Sequence, residues 1–366
     1  MKKRVIITIS LLVAAGICVG LLLLSRLAPE FVTSVYTKQI FRYISLPVKW
    51  LVNLVPFSVA EVLLIIAAVA LPVVLIITII RCIYYRTAKP AAKYGLHLVS
   101  LASVVIILFV LFGGFNYSAL TFAERYGYDI RESTVQELMD LCVYLNGKAA
   151  ECRNDLETDE NGIVTTDMTV YEMIEKAQEG YDALSQRFPE FGGFYSKAKP
   201  AIFSEGMCYL QISGIYPYII PEPVVNYKTP SMSLPHTICH EMAHQRGIAR
   251  EDEANYVGYL AAVNNSDPLF RYSGYLEALS YCLSALGRAS STAYNQVRPL
   301  IHKGIMKDLA AENEFWSSFE KKNELPAKIS SAVNNTYLQI QNIPDGTRSY
   351  GRVVDLLLAE YRAQNT

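Results

Sequence analysis

Residues 5–24 are apolar and uncharged, following Met1-Lys2-Lys3-Arg4. A run of about 20 such residues is long enough to span a hydrocarbon core of roughly 30 Å. A signal peptide's apolar core covers only about 7–15 residues, and no small-x-small cleavage site follows, so the run reads as an uncleaved anchor. Residues 60–84 form a second span, opened by Ser58 and Glu61 at capping-box spacing, with Pro72 placed to kink it. Residues 96–112 form a third, and Gly113-Gly114 marks its exit. Residues 31–57 mix aromatic, basic and apolar positions around Trp50, which suits short helices in the membrane interface. The membrane domain is therefore expected over residues 1–116.

Beyond residue 117 the pattern turns amphipathic. Helical spacing recurs over residues 133–145, 171–188, 272–286, 294–311 and 353–362. Residues 151–167 are polar and carry the turn signal Asn161-Gly162. Between residues 199 and 227 short apolar runs alternate with Gly and Pro, predicting short strands, one of them a candidate edge for binding an extended substrate. In the same stretch Glu222 and Asn226 read as solvated turn residues that can also reach a substrate. The outer part, 117–366, is thus mainly α with a small β element, large enough for one good core or two lobes.

Composition sharpens this picture. A hydrophobic content of 52% and a mean hydropathy of +0.21 exceed what a soluble domain carries. Net charge is −1 with no basic stripe, which gives no reason to expect nucleic acid. Lys2, Lys3 and Arg4 precede the first span, and Arg81, Arg86, Lys89 and Lys93 separate the second from the third, placing the N-terminus in the cytoplasm. Arg26, Lys38, Arg42 and Lys49 weaken the asymmetry. Three spans from that start put the outer domain on the extracytoplasmic face of the cell membrane. Of seven cysteines, Cys18 and Cys82 fall in spans and five remain, so no disulfide is assigned, although Cys142 and Cys152 are near in sequence.

The chemistry lies in residues 233–259, SLPHTICHEMAHQRGIAREDEANYVGY. His240, Glu241 and His244 form H-E-x-x-H, and on a helix the two imidazoles one turn apart face one way and can share a zinc ion. Glu241 then lies beside the metal, where its carboxylate can take a proton from water whose pKa the ion has lowered to roughly 7. Ser233 can cap this helix, Pro235 is tolerated in its first turn, and Gly247 can end it. A third ligand is offered by Glu251, Asp252 or Glu253. Glu251 is favoured, because Glu251, Asn255, Gly258 and Ala262 form one stripe whose small residues allow close helix approach. Glu253 points about 200° away and becomes the ligand only if the second helix starts late.

Around this core, Asn255 is placed to orient a ligand. His236 reads as a polar residue of the first turn or as part of the cleft, and Cys239 as a small buried side chain. Tyr275 and Tyr350 are candidates for the donor that steadies a tetrahedral oxyanion, with Tyr350 preferred. With 25 tyrosines in the chain, packing competes with that role for either one. H-E-x-x-H also arises by chance, but three of only five histidines fall within residues 236–244.

HEMAHQRG followed by EDEAN resembles HExxH zinc metallopeptidases. Glu-x-x-x-Asn resembles the ligand helix of the gluzincins, although their interval between the second His and the Glu is longer. The short interval with Gly247 resembles the metzincins, but Arg250 stands where their third His would be. Three apolar segments, HExxHQRGIA, EDEAN and RSYGRVVDLLLAEY together resemble a bacterial membrane-protein family of unknown function. That resemblance implies a mainly α fold in which three N-terminal transmembrane helices precede a zincin-like domain. It also implies a peptidase with Zn2+ on His240, His244 and Glu251 and with Glu241 as general base. The resemblance names no substrate; the partners expected from the site and the spans are a peptide, protein or cell-envelope substrate and the lipid bilayer. The competing expectation is a membrane-bound sensor or binding protein with a vestigial or structural zinc site. Intramembrane proteolysis is disfavoured, because residues 233–245 are too polar for a lipid-facing span.

Overall fold

The structure is a computed structural model that describes residues 2–322, 325–326, 328, 330–332 and 351–365. Described residues up to Leu120, with Pro217–Glu222, form one compact unit, and those from Thr121 onward without that insert form a second.

In the first unit α1 (Lys2–Ser25), α2 (Arg42–Val52), α3 (Val59–Tyr84) and α4 (Lys89–Phe112) follow in order, with a π-helical stretch over Val32–Phe41. α1, α3 and α4 are long and apolar enough to cross a membrane, and the chain is a membrane protein on that ground. Side chains such as Leu64, Val69 and Ile80 remain exposed, as lipid-facing positions do. The third span starts at Lys89 rather than residue 96, because Pro90 is tolerated in a first turn and the helix continues beyond its apolar stretch. Thr8 Oγ1 and Ser100 Oγ lie 2.8 Å apart, joining α1 to α4 through a bond that lipid cannot replace. Residues 31–52 are helical and 53–57 form a turn, and Val32, Tyr36 and Phe41 pack in one cluster with Phe112 and Ala119. Ser58 caps α3 through the Glu61 amide.

The second unit contains α5 (Val135–Arg153), α6 (Val170–Leu184), α7 (Leu234–Gln245), α8 (Glu251–Val263), α9 (Pro268–Ala289), α10 (Lys303–Lys322) and α11 (Arg352–Asn365). Thr134 with Glu137 and Thr169 with Glu172 make reciprocal capping boxes that start α5 and α6. Between α6 and α7 lie β1 (Lys199–Pro200), β2 (Gly214–Ile215) and β3 (Val224–Val225), ordered β1-β3-β2, with β1 parallel and β2 antiparallel to β3. Tyr209 belongs to a short helix, Ser204–Tyr209, rather than to a strand, and the strands are shorter than the apolar runs suggest. Pro217, Pro221 and Pro223 have no amide hydrogen to extend a ladder.

α8 is the central element. Every residue from Asp252 to Ala262 is buried, as expected of a helix with neighbours on all sides. Small residues permit those neighbours. A Cβ on Gly258 would lie 2.9 Å from the His240 backbone nitrogen, and one on Gly274 of α9 would lie 2.9 Å from the Ala262 Cβ. Glu251, Asn255 and Gly258 of the stripe expected from sequence therefore face the motif helix, while Ala262 packs against α9.

Candidate metal centre

α7 presents H-E-x-x-H on a helix whose C-terminus is fixed. Gly247 takes φ +88°, and its amide donates to the His244 carbonyl while the Ile248 amide donates to that of Ala243. These two bonds make a Schellman turn, which needs the left-handed glycine. The turn brings the Ile248 carbonyl to 2.7 Å from His244 Nδ1. Nδ1 must carry the proton in that contact, so Nε2 is the ring nitrogen that can turn a lone pair to a metal. Arg246, at the end of α7, is buried with its guanidinium 3.6 Å from the centre of the Tyr181 ring, and it donates to the Phe191 carbonyl. Ser233 does not cap the helix. Its backbone is already helical at φ −98° and ψ −24°, whereas a side-chain cap needs an extended residue.

Glu251 is the first residue of α8, and its oxygens lie 3.3 Å from His240 Nε2 and 3.6 Å from His244 Nε2. Potential ligand atoms of His240, His244 and Glu251 all fall within 4.8 Å of one another, the one such group of three among the described residues. Burial opposes ionisation of Glu251, but His244 and His240 outweigh it and hold the carboxyl far below its ordinary range. Burial likewise disfavours charge on His244, yet Glu251 drives its pKa up to about 9. The site thus favours positive charge between these side chains, which a metal cation can supply.

Glu241 sits beside this group, its Oε1 4.0 Å from His240 Nε2. Its other oxygen, Oε2, is buried without a hydrogen-bond partner among the described residues. Burial pushes its pKa up to about 7 against the pull of His240 and His244. Gly214 of β2 admits this carboxylate, because a Cβ there would stand 2.7 Å from the Glu241 Cγ. Tyr216 stacks on the His244 ring with centroids 6.0 Å apart. Neither residue belongs to the motif, and only the short run around Ile215 marked their neighbourhood in the sequence.

Other candidates go elsewhere. Glu253 accepts the Phe122 amide at 2.8 Å and pairs with Arg250, away from both imidazoles. Asn255 does not orient a ligand by its side chain. Its carbonyl meets His236 Nε2 at 3.2 Å, while its buried Nδ2 has no partner among the described residues. Burial keeps His236 neutral by lowering its pKa to about 3, so Nε2 is the donor in that contact. Cys239 is fully buried, and its carbonyl accepts the Tyr181 hydroxyl.

Tyr275 packs 6.0 Å from the Tyr259 ring, and burial lifts its pKa to about 12. Tyr350 lies outside the described residues. Glu222 and Asn226 are buried rather than solvated. Glu222 accepts the Ser58 hydroxyl and the Ala60 amide at the start of α3, and Asn226 donates to the Ile212 carbonyl.

A cavity of about 470 Å³ opens beside the metal-capable group and is lined by His236, His240, Glu251 and Asn255 from α7 and α8. α9 contributes Glu277 and Tyr281, and α10 contributes Glu312 and Trp316. No motif marks these four positions.

Comparison with curated proteins and with solved structures finds no match. The family model described as "Protein of unknown function (DUF3810)" matches residues 36–358, and the chain belongs to that family.

Proposed function

We propose that this protein is a membrane-anchored zinc metallopeptidase that hydrolyses a peptide or cell-envelope amide bond. The reading is carried by the convergence of His240, His244 and Glu251 within 4.8 Å beside a Glu241 whose buried Oε2 has no hydrogen-bond partner among the described residues. Two imidazoles and one carboxylate suit zinc, and three protein ligands leave a coordination position open, as catalytic rather than structural sites do. When bound, zinc lowers the pKa of water and polarises a carbonyl.

Glu241 accepts the proton of the attacking water as its oxygen bonds to the scissile carbonyl carbon. It then returns that proton to the amine nitrogen as the C–N bond breaks. His244 is kept in its ligating tautomer by the Ile248 carbonyl. β2 ends the sheet next to Glu241, so its free edge can pair with an extended substrate main chain. The basic residues flanking the spans favour a cytoplasmic N-terminus and an extracytoplasmic catalytic unit at the cell membrane.

The test uses the full chain in detergent, loaded with zinc and presented with a peptide library. Glu241→Gln should keep zinc and lose about 10²-fold or more of the hydrolysis rate. His244→Ala should lose both zinc and hydrolysis. Equal hydrolysis by the parent and Glu241→Gln would sink the mechanism, and zinc binding with no hydrolysis of any peptide would favour a sensor or binding protein.

A further inference from the structure

The cavity beside the metal-capable group has a composition that hydrolysis itself does not require. α9 and α10 each supply a carboxylate and, four residues later on the same helix face, an aromatic ring: Glu277 with Tyr281, and Glu312 with Trp316. Two acids with two rings offer a cation both charge and π-faces. Gln211 Nε2 donates to the Trp316 main-chain carbonyl at 3.2 Å, which ties this turn of α10 to the cavity wall.

The two carboxylates have no third His, Cys or acid within metal-ligating reach among the described residues. An organic cation therefore fits them better than a metal ion. Burial, reinforced by Glu312, lifts the pKa of Glu277 to about 8, and burial raises Glu312 as well. Hydrogen bonds from Tyr281 to Glu277 and from Ser233 to Glu312 offset only part of this, and no lysine or arginine is among the residues lining the cavity.

An independent feature points to the same cavity. Asn255 is only 5% exposed and lines it, and its Nδ2 has no hydrogen-bond partner among the described residues. A buried amide donor left unpaired costs about 1–3 kcal/mol, and a ligand carbonyl would satisfy it.

We propose that this cavity is a substrate subsite for an ammonium or guanidinium group. Glu277 and Glu312 hold that group between the rings of Tyr281 and Trp316, while Asn255 donates to a carbonyl of the same molecule. The proposal rests on the metallopeptidase reading, and it narrows the substrate to one carrying positive charge near the cleaved bond.

Binding separates the two ideas. The full chain carrying Glu241→Gln, in detergent with zinc, is titrated with fluorescent N-acetyl peptides that differ only by arginine or its neutral isostere citrulline. A second pair of alanine peptides differs only in a free or acetylated N-terminus, distinguishing a side chain from an α-amine as the source of charge. The charged member of at least one pair should bind about tenfold tighter or more. Adding Glu277→Gln or Glu312→Gln should erase that preference and leave binding of the neutral member intact.

Equal affinity within both pairs would overturn the proposal. So would a preference that survives the double variant Glu277→Gln/Glu312→Gln, or a second zinc equivalent that disappears with it. Hydrolysis by the chain with native Glu241 is read separately. A carboxylate-dependent preference without turnover sustains the cation subsite and removes the peptidase.

Discussion

Gly258→Ala tests whether close approach of α8 to α7 builds the metal centre. The added Cβ would meet the His240 nitrogen at 2.9 Å and its Cα at 3.0 Å, where ordinary contact begins at 3.4 Å. The shortfall is 3.4 − 2.9 = 0.5 Å, and it falls on backbone, which cannot rotate aside. Overpacking of this kind costs about 1–3 kcal/mol, and the gain in helix propensity returns up to about 1 kcal/mol. With the full gain realised, the two figures leave a net loss of up to about 2 kcal/mol.

The same displacement separates Glu251 from His240, because both glycine and ligand lie on the stripe of α8 that faces α7. Zinc affinity should fall about 10–100-fold, the scale of changes that leave ligands present but displaced. Thermal unfolding and zinc competition against a chelator measure the two effects on the detergent-solubilised chain. Gly147→Ala is the control: nothing lies within 4 Å of its Cβ, on the exposed side of α5, so it should stabilise by about 0.5–1 kcal/mol. A Gly258→Ala chain with parental stability and zinc affinity would refute the reasoning.

Two further predictions concern the frame of the second unit. Asp308 is fully buried, accepting from Arg153 Nε at 2.8 Å, the Val164 amide at 2.9 Å and the Tyr272 hydroxyl. Asp308→Ala leaves Arg153 and an amide without their acceptor and should cost about 3–5 kcal/mol in chemical unfolding; a loss below about 1 kcal/mol contradicts this. Burial disfavours charge on Glu360, but Arg187 at 2.7 Å and Tyr128 hold its pKa down at about 2, below an unfolded value near 4.3. The native pKa is the lower one, so its contribution is complete above about pH 4.3 and is lost as pH falls toward 2. The Arg187 side chain is 49% exposed, so screening reduces the contribution to about 1 kcal/mol, and Arg187→Gln should flatten the melting temperature across that window. An unchanged slope would count against the pair.

Local rules with a fixed period or spacing were readable in the sequence. Apolar length located the spans, and Pro90 explains why the third helix begins before its apolar stretch does. The i, i+4 spacing of His240 and His244, with the small stripe of Glu251, Asn255, Gly258 and Ala262, anticipated which side chains meet. Asn255 was misread because helical phase places a side chain on a face but does not choose between its amide and its carbonyl. Ser233 was misread because capping depends on the preceding turn, which already has helical geometry. Glu277, Tyr281, Glu312 and Trp316 lie 26 or more residues beyond Glu251, on helices whose orientation is set by packing around α8. Nothing local to those residues says that they share a cavity with His240.

The central claim is that Glu251 completes a zinc site with His240 and His244. Zinc content per chain, measured on the full-length protein and on Glu251→Ala and Glu253→Ala, tests it most directly. One equivalent should remain in the parent and in Glu253→Ala, whose carboxylate is engaged by the Phe122 amide, and almost none in Glu251→Ala. Zinc retained by Glu251→Ala and lost from Glu253→Ala would contradict the account.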